Sequence, residues 1–332
     1  MIIHLKKEIS ETESAAIAHE LEAMQYHNGV HYILITPSAT KELKSSILEK
    51  ADAHWAMESD IQLASSKYRQ DLREIKWGNT TIGGTTKNTP VIAGPCSIES
   101  WEQIEESAKL LVSLGINTLR AGCYKPRTSP YSFQGLGLEG LKMLAEVRNK
   151  YKLNIITEVK DSSHVNEVIE YADIIQIGAK AMYDQSILRR CGEARKPVLL
   201  KRGFGTTLQE FVQAAEFILS GGNEQVILCE RGIRTFETKT RFTFDLCGAA
   251  YLKYHTNLPV ILDPSHAMGY AYGVPDLAKA SVAFGCDGLL IEVHPNPKIA
   301  KSDSSQQLDH STFTQLYGEL KIIASAVGRQ LL

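Results

Sequence analysis

From about Pro90 onward, a short apolar segment followed by an amphipathic helical pattern recurs eight times. The segments are Pro90–Ala93, Thr118–Ala121, Asn154–Glu158, Ile174–Ile177, Pro197–Lys201, Gln225–Cys229, Pro259–Leu262 and Gly288–Glu292. Most are rich in Val, Ile and Leu, as strands buried on both faces should be. Helical spacing recurs between them, in Ile104, Ala108 and Leu111 and again in Leu208, Phe211, Val212 and Ala215. Thr206 or Thr207 can cap the second of these, and a last helix is expected from Thr312 to about Val327. Eight strand–helix units over about 245 residues match the size and count of a (β/α)8 TIM barrel. A doubly wound open sheet would normally show a Gly-rich first turn, and no G-x-G-x-x-G follows the first strand.

Residues 1–76 read differently. A strand at Ile2–Leu5, a helix at Glu11–Met24, a strand at Val30–Thr36, a helix at Lys41–Glu49 and strand-like pieces near Ile61–Ala64 suggest a small α+β ferredoxin-like domain. Residues 77–89 are rich in Gly, Thr and Asn and read as a linker, part of it a hairpin at the barrel base. The catalytic barrel is then expected over residues 90–332. The net charge of -2 gives no general attraction to nucleic acid or an anionic membrane. No apolar run reaches the roughly 18 residues of a membrane span, and the first residues read as a strand rather than a signal peptide. The cysteines, at 96, 123, 191, 229, 247 and 286, show no CxxC spacing. Free thiols in a reducing cytoplasm are expected.

The catalytic groups of such a barrel come from the C-terminal ends of its strands. Here these ends read Gly94-Pro-Cys-Ser-Ile-Glu99, Arg120-Ala-Gly-Cys-Tyr-Lys-Pro-Arg-Thr-Ser-Pro130, Glu158, Gln176-Ile-Gly-Ala-Lys180, Lys201-Arg202, Glu230-Arg231, Asp263-Pro-Ser-His266 and Glu292-Val-His-Pro295. Lys or Arg stands at several of them. Like charges converging on one mouth repel, so an anion should balance them. Glu158, Glu230 and Asp263 are the alternative partners, but the cations outnumber them. A substrate with more than one phosphate or carboxylate is the favoured reading, because Arg forks onto two oxygens and Lys adds a point charge.

Cys96, His266, Glu292 and Asp303 form a second inventory, a mixed S, N and O set suited to a divalent transition metal. The first three close strands one, seven and eight, which are neighbours in a closed barrel. Taken singly, a Cys after an apolar strand also fits a small buried hydrophobe, and a His fits an ordinary loop residue. Spacing does not separate Mn, Fe, Zn and Co.

Taken together, the segments 93–99, 119–130, 176–179, 200–203, 229–234, 262–266 and 291–295 resemble the type I beta class of 3-deoxy-D-arabino-heptulosonate 7-phosphate (DAHP) synthase. That family belongs to a superfamily shared with enzymes that make the eight-carbon acid phosphate KDO8P. The resemblance implies condensation of phosphoenolpyruvate with erythrose 4-phosphate and water, the first step of the shikimate pathway to aromatic amino acids. It implies a metal, Mn2+ first and Fe2+, Co2+ or Zn2+ as alternatives, held by Cys96, His266, Glu292 and Asp303. Asp303 takes this role, and Asp309 does not, because the family's last ligand lies in a Ser-Asp-x-x-Gln-x-Leu segment, here Ser302–Leu308.

The resemblance further assigns phosphoenolpyruvate to Arg120, Lys125, Lys201 and Arg231, with Ala179 and Lys180 near its phosphate. The sugar phosphate falls to Arg127 and Thr128, with Ser129 beside them. Lys125, Cys96 and His266 carry the catalytic expectation. Lys125 is to deliver a proton or position water, its cationic neighbours easing deprotonation, and Glu158 is a weaker candidate for orienting the water. The KDO8P enzymes, which take arabinose 5-phosphate, typically carry Lys-Ala-Asn-Arg-Ser where this chain has Lys-Pro-Arg-Thr-Ser, so the four-carbon sugar is favoured. A homotetramer or homodimer is also implied, and the N-terminal domain is expected either to sense an aromatic amino acid or prephenate or only to support assembly. Three features depart from the family pattern: Lys180 in place of Arg, Cys123-Tyr124 in place of Ala-Phe, and the neutral aromatic Met268–Tyr272 after His266.

Overall fold

A computed structural model describes residues 1–125 and 129–332. The chain opens with β1 (Ile2–Leu5), α1 (Glu11–Glu20), β2 (Met24–His27), β3 (Tyr32–Ile35), α2 (Ser45–Leu48) and β4 (Ala51–Trp55). The strands form an antiparallel sheet of order β2-β3-β1-β4, the connectivity of a ferredoxin-like module. Two of these strands were not legible in the sequence. The first helix stops at Glu20, Glu22 turns to φ 51, and Met24 begins a strand rather than ending a helix. In β4, Asp52 and His54 are exposed between half-buried Ala51, Ala53 and Trp55, so the apolar signal is weak. Ile61–Ala64, expected to be strand-like, is instead an irregular strap against the barrel.

A hairpin of β5 (Ile75–Trp77) and β6 (Thr80–Ile82) follows, then the short β7 (Asn88–Thr89). Ile75, Trp77 and Ile82 form one cluster with Ile92, Ile156, Ile174, Leu199, Ile227, Ile261 and Leu290, which point into the barrel. Trp77 Nε1 donates to Thr118 Oγ1 at 3.0 Å. The hairpin therefore plugs the barrel floor.

The barrel strands are β8 (Val91–Gly94), β9 (Thr118–Arg120), β10 (Asn154–Val159), β11 (Ile174–Ile177), β12 (Val198–Lys201), β13 (Val226–Glu230), β14 (Val260–Leu262) and β15 (Leu289–Glu292). They pair in parallel and close, β15 lying against β8. The helices α3 (Trp101–Leu114), α4 (Leu138–Tyr151), α5 (Val165–Tyr171), α6 (Gln185–Glu193), α7 (Leu208–Ser220) and α8 (Leu246–His255) follow the first six strands in turn. A short α9 (Pro264–Met268) and α10 (Val274–Ala283) follow β14. Finally, α11 (His310–Ala326) follows β15, and β16 (Gln330–Leu331) returns beside β7. Thr207 caps α7 in a reciprocal capping box with Glu210.

Strand periodicity sets the depth of each side chain. Ile156, Leu199, Ile261 and Leu290 face inward at the floor. Two residues later the same face carries Glu158, Lys201, Asp263 and Glu292. Gly94 lets β8 and β9 approach here: at φ 144, a Cβ would lie 2.2 Å from Arg120 O.

Glu216 on α7 ties the strap to the barrel. Its carboxylate accepts from the backbone N–H groups of Gln62 at 2.8 Å, Leu63 at 3.1 Å and Ala64 at 2.8 Å. Burial outweighs those bonds and pushes its pKa up to about 7, against an ordinary 4.5. Because the folded value lies above the unfolded one, the native state holds the extra proton between these values, and this stabilisation fades as pH rises through that window. Urea denaturation from about pH 5 to pH 8 should therefore show the native protein losing stability relative to Glu216→Gln, whose amide cannot ionise. Parallel pH profiles for the two proteins would refute the assignment.

Candidate active site

The inward polar layer opens into a cavity lined by Lys125, Glu158, Ala179, Lys180, Lys201, Arg231, Arg241, Phe242, His266 and Asp303. Gly178, also in this lining, gives Glu158 its place: a Cβ there would sit 2.0 Å from Glu158 Oε1. Gln176 Nε2 donates to Glu158 Oε2 at 3.0 Å.

On one side of the mouth, Cys96, Glu292 and Asp303 offer ligand atoms all within 4.8 Å of one another. His266 stands at the edge of this cluster, its Nε2 3.5 Å from Glu292 Oε1. Ser302 Oγ is 2.9 Å from Cys96 Sγ, and Asp303 Oδ2 is 3.4 Å from it. Asp303 adopts φ 47, in the left-handed region that non-glycine residues seldom occupy. Burial, reinforced by Glu292, pushes the Cys96 thiol up to about 12. A thiol in such a place ionises when a cation coordinates it. His266 is lowered by burial despite Asp263, which favours the neutral, ligating imidazole. Thiol, imidazole and two carboxylates fit a divalent transition metal. Asp309, by contrast, caps α11, accepting from Thr312 N at 2.7 Å.

Several cations already have carboxylate partners. Arg120 Nη1 donates to Glu292 Oε1 at 2.9 Å and to Pro95 O at 2.6 Å. Lys201 Nζ lies 2.7 Å from Asp263 Oδ2. Arg202 Nη1 bridges Glu230 Oε2 at 2.9 Å and Asp245 Oδ2 at 2.8 Å. Arg231 is different. It is buried, stacks over Phe242 at 4.4 Å, and its Nε and Nη1 meet no acceptor. A buried guanidinium facing a cavity in this state is built for an anion.

Lys125 corrects one expectation. Its ammonium lies 3.2 Å from Cys96 Sγ and 3.1 Å from Cys96 O. Burial alone would lower its pKa, but Cys96 and Glu158 raise it, and the net direction is upward. The net direction holds Lys125 as the ammonium, where cationic neighbours were expected to ease it toward the free amine. Lys180 and Ala179 reach the cavity as expected. The Ser129 hydroxyl accepts from Tyr131 N at 3.3 Å and is not among the cavity-lining groups. Arg127 and Thr128 lie outside the described residues. Tyr270 and Tyr272 stack on each other at 5.9 Å, and neither lines the cavity. Reading strand ends alone missed Arg241 and Phe242, which follow β13 by more than ten residues. It also missed Gln306, although this residue stands within the Ser302–Leu308 motif.

A model of the DAHP synthetase I family matches residues 63–326. A phospho-2-dehydro-3-deoxyheptonate aldolase of Thermotoga maritima is 47% identical over 78% of this chain and 74% of its own length. A 2-dehydro-3-deoxyphosphooctonate aldolase of Fusobacterium nucleatum is 32% identical over 72% of this chain and 91% of its own. The solved phospho-2-dehydro-3-deoxyheptonate aldolase (DAHP synthase) of Thermotoga maritima superposes with TM-score 0.81 and 37% identity, covering 100% of this chain and 99% of that one. A truncated form from the same organism aligns at TM-score 0.77 and 40% identity, over 82% of this chain and 100% of that one.

The orphan guanidinium has a measurable consequence. Without an anion, Arg231→Met should raise the melting temperature, because a buried, unpaired charge costs stability. Millimolar inorganic phosphate should stabilise the native protein and shift the variant much less. Equal phosphate-induced shifts in the two proteins would contradict the assigned role.

Proposed function

The chain belongs to the DAHP synthetase I family, and from that premise we propose that it condenses phosphoenolpyruvate with erythrose 4-phosphate and water to give DAHP and phosphate. The observation that carries this reading is the meeting, across one cavity, of the Cys96, His266, Glu292 and Asp303 cluster with the unpartnered guanidinium of Arg231. One side suits a carbonyl oxygen and the other a phosphate.

Arg231, Lys201 and Lys180, with the backbone of Ala179, hold phosphoenolpyruvate. Arg120 steadies Glu292 beneath it. Arg127 and Thr128, with Ser129 nearby, take the sugar phosphate. Fixing both substrates in this way removes much of the entropic barrier to their reaction. C3 of phosphoenolpyruvate forms the new bond to the aldehyde carbon, and Lys125 hands its proton to the aldehyde oxygen as charge develops there. Water, oriented by Glu158, adds at C2 and returns one proton to Lys125; the C2–O bond to the phosphate then breaks, the water-derived oxygen becomes the C2 carbonyl, and its remaining proton leaves with inorganic phosphate. A divalent metal held by Cys96, His266, Glu292 and Asp303 supplies Lewis acidity when bound. Mn2+ is the first assignment, with Fe2+, Co2+ or Zn2+ as substitutes.

We assign residues 1–76 to a module that either senses an aromatic amino acid or prephenate or braces a homotetramer or homodimer. Residues 77–89 are a linker and floor hairpin, and residues 90–332 the catalytic barrel. No helix of the described residues is long and apolar enough to cross a membrane, and the cytoplasm is the proposed compartment.

Phosphate release should require both substrates and disappear with a chelator. Arabinose 5-phosphate should replace erythrose 4-phosphate poorly; a preference for the five-carbon sugar would move the protein to the KDO8P reaction. Cys96→Ala should lower kcat/KM by more than about a hundredfold. Full activity in that variant after exhaustive metal removal would sink the metal role. Inhibition of the intact protein by Tyr, Phe or prephenate would separate a sensing module from a bracing one.

A further inference from the structure

Glu292 is fully buried and both of its oxygens are engaged. Oε1 takes Arg120 Nη1 at 2.9 Å and faces His266, while Oε2 accepts from Gln306 Nε2 at 2.5 Å. Gln306 is itself 1% exposed, and its Oε1 accepts from Arg241 Nη1 at 2.5 Å. A carboxylate only accepts and a guanidinium only donates, so the amide between them has one orientation that satisfies both.

The backbone reinforces this arrangement. Gln306 N–H donates to Asp303 O at 3.3 Å, and Leu308 N–H donates to Glu292 O at 2.9 Å. One turn therefore joins Gln306 to two of the candidate metal ligands. Arg241 arrives from the segment after β13. That segment is held by Arg241 N to Met268 O at 3.1 Å and Phe242 N to Ala267 O at 3.0 Å. Its guanidinium is also 3.7 Å from Asp303 Oδ2.

We propose that Gln306 is a positioning residue for the metal centre, setting the rotamer of Glu292, and that Arg241 acts on Glu292 through it. The inference rests on the metal reading of Cys96, His266, Glu292 and Asp303. An apolar residue at 306 would fill the space but leave Glu292 Oε2 without its donor, free to rotate away from His266. Loss of Arg241 would leave the amide able to flip and present its oxygen to a carboxylate.

The test is titration of Co2+ alone into the metal-free, full-length protein. The thiolate-to-cobalt absorption reports Cys96, and the ligand-field bands report carboxylate geometry. Gln306→Met should weaken Co2+ binding by about 10- to 100-fold, the usual effect of removing a hydrogen bond behind a metal ligand, and should shift the ligand-field bands. Arg241→Met, at a partly exposed side chain, should change both in the same direction and keeps the test decisive if Gln306→Met folds poorly. The double variant should lose less than the two single losses combined, since the effect of Arg241 on Glu292 passes through Gln306 while its contact with Asp303 is separate. Native-like affinity and spectra in both single variants, or fully additive losses, would overturn the inference while leaving the metal reading intact. Absence of the thiolate band in the native protein would overturn both.

Discussion

Closure of eight parallel strands forces alternate side chains inward, and everything distinctive about this molecule follows from what those positions carry. At the floor they are Ile and Leu, sealed by Trp77 and Ile75 of the hairpin. One step higher they are Arg120, Glu158, Gln176, Lys201, Asp263 and Glu292. That layer of buried charge stands on a sealed apolar floor and opens upward into a cavity. The hairpin and the site are thus two ends of one periodicity.

Charge compensation then sorts the residues of that layer. Burying an ion is costly unless it is paired. Arg120 pairs with Glu292, Lys201 with Asp263, and Arg202 with Glu230 and Asp245. Asp245 also caps α8 through Gly248 N at 2.7 Å, so the Arg202 cluster fixes the return of the chain from β13 to its helix. Arg231 sits between these anchored neighbours with two nitrogens unmatched. Its neighbours are paired, which leaves its own charge uncompensated. The Cys96, Glu292 and Asp303 cluster gathers acidic groups instead, with Glu292 and Asp303 standing close together beside a thiol that burial keeps protonated.

The sequence was legible where a physical signal was local. Each barrel strand is a short apolar run, and its position falls within one or two residues of the structure. Cys96, His266 and Glu292 were findable because strands one, seven and eight adjoin in a closed barrel. The four-residue β2 lay hidden because Met24 continues the helical pattern of the preceding residues, and β4 because alternate exposed polar residues dilute it. Pairing partners were illegible too: nothing local in Glu216 announces three backbone donors from residues 62–64. The upward shift of Lys125 depends on the closeness of Cys96 and Glu158, a distance that spacing along the chain does not encode.

One departure of this chain from the family pattern, Cys123-Tyr124, follows the same packing logic. Cys123 is buried, and a Cβ at Gly140 of α4 would come within 3.3 Å of its sulfur. Thr157 Oγ1 lies 3.6 Å from the same atom. A slightly larger, polarisable side chain thus fills the gap between the loop root, β10 and α4. Tyr124 stacks on His164 at 4.1 Å, and its hydroxyl donates to Glu167 on α5. The phenol therefore gives the loop a polar anchor that a phenylalanine would lack. Both substitutions act on the backbone leading directly into Lys125, whose ammonium must stay within reach of Cys96 and the cavity.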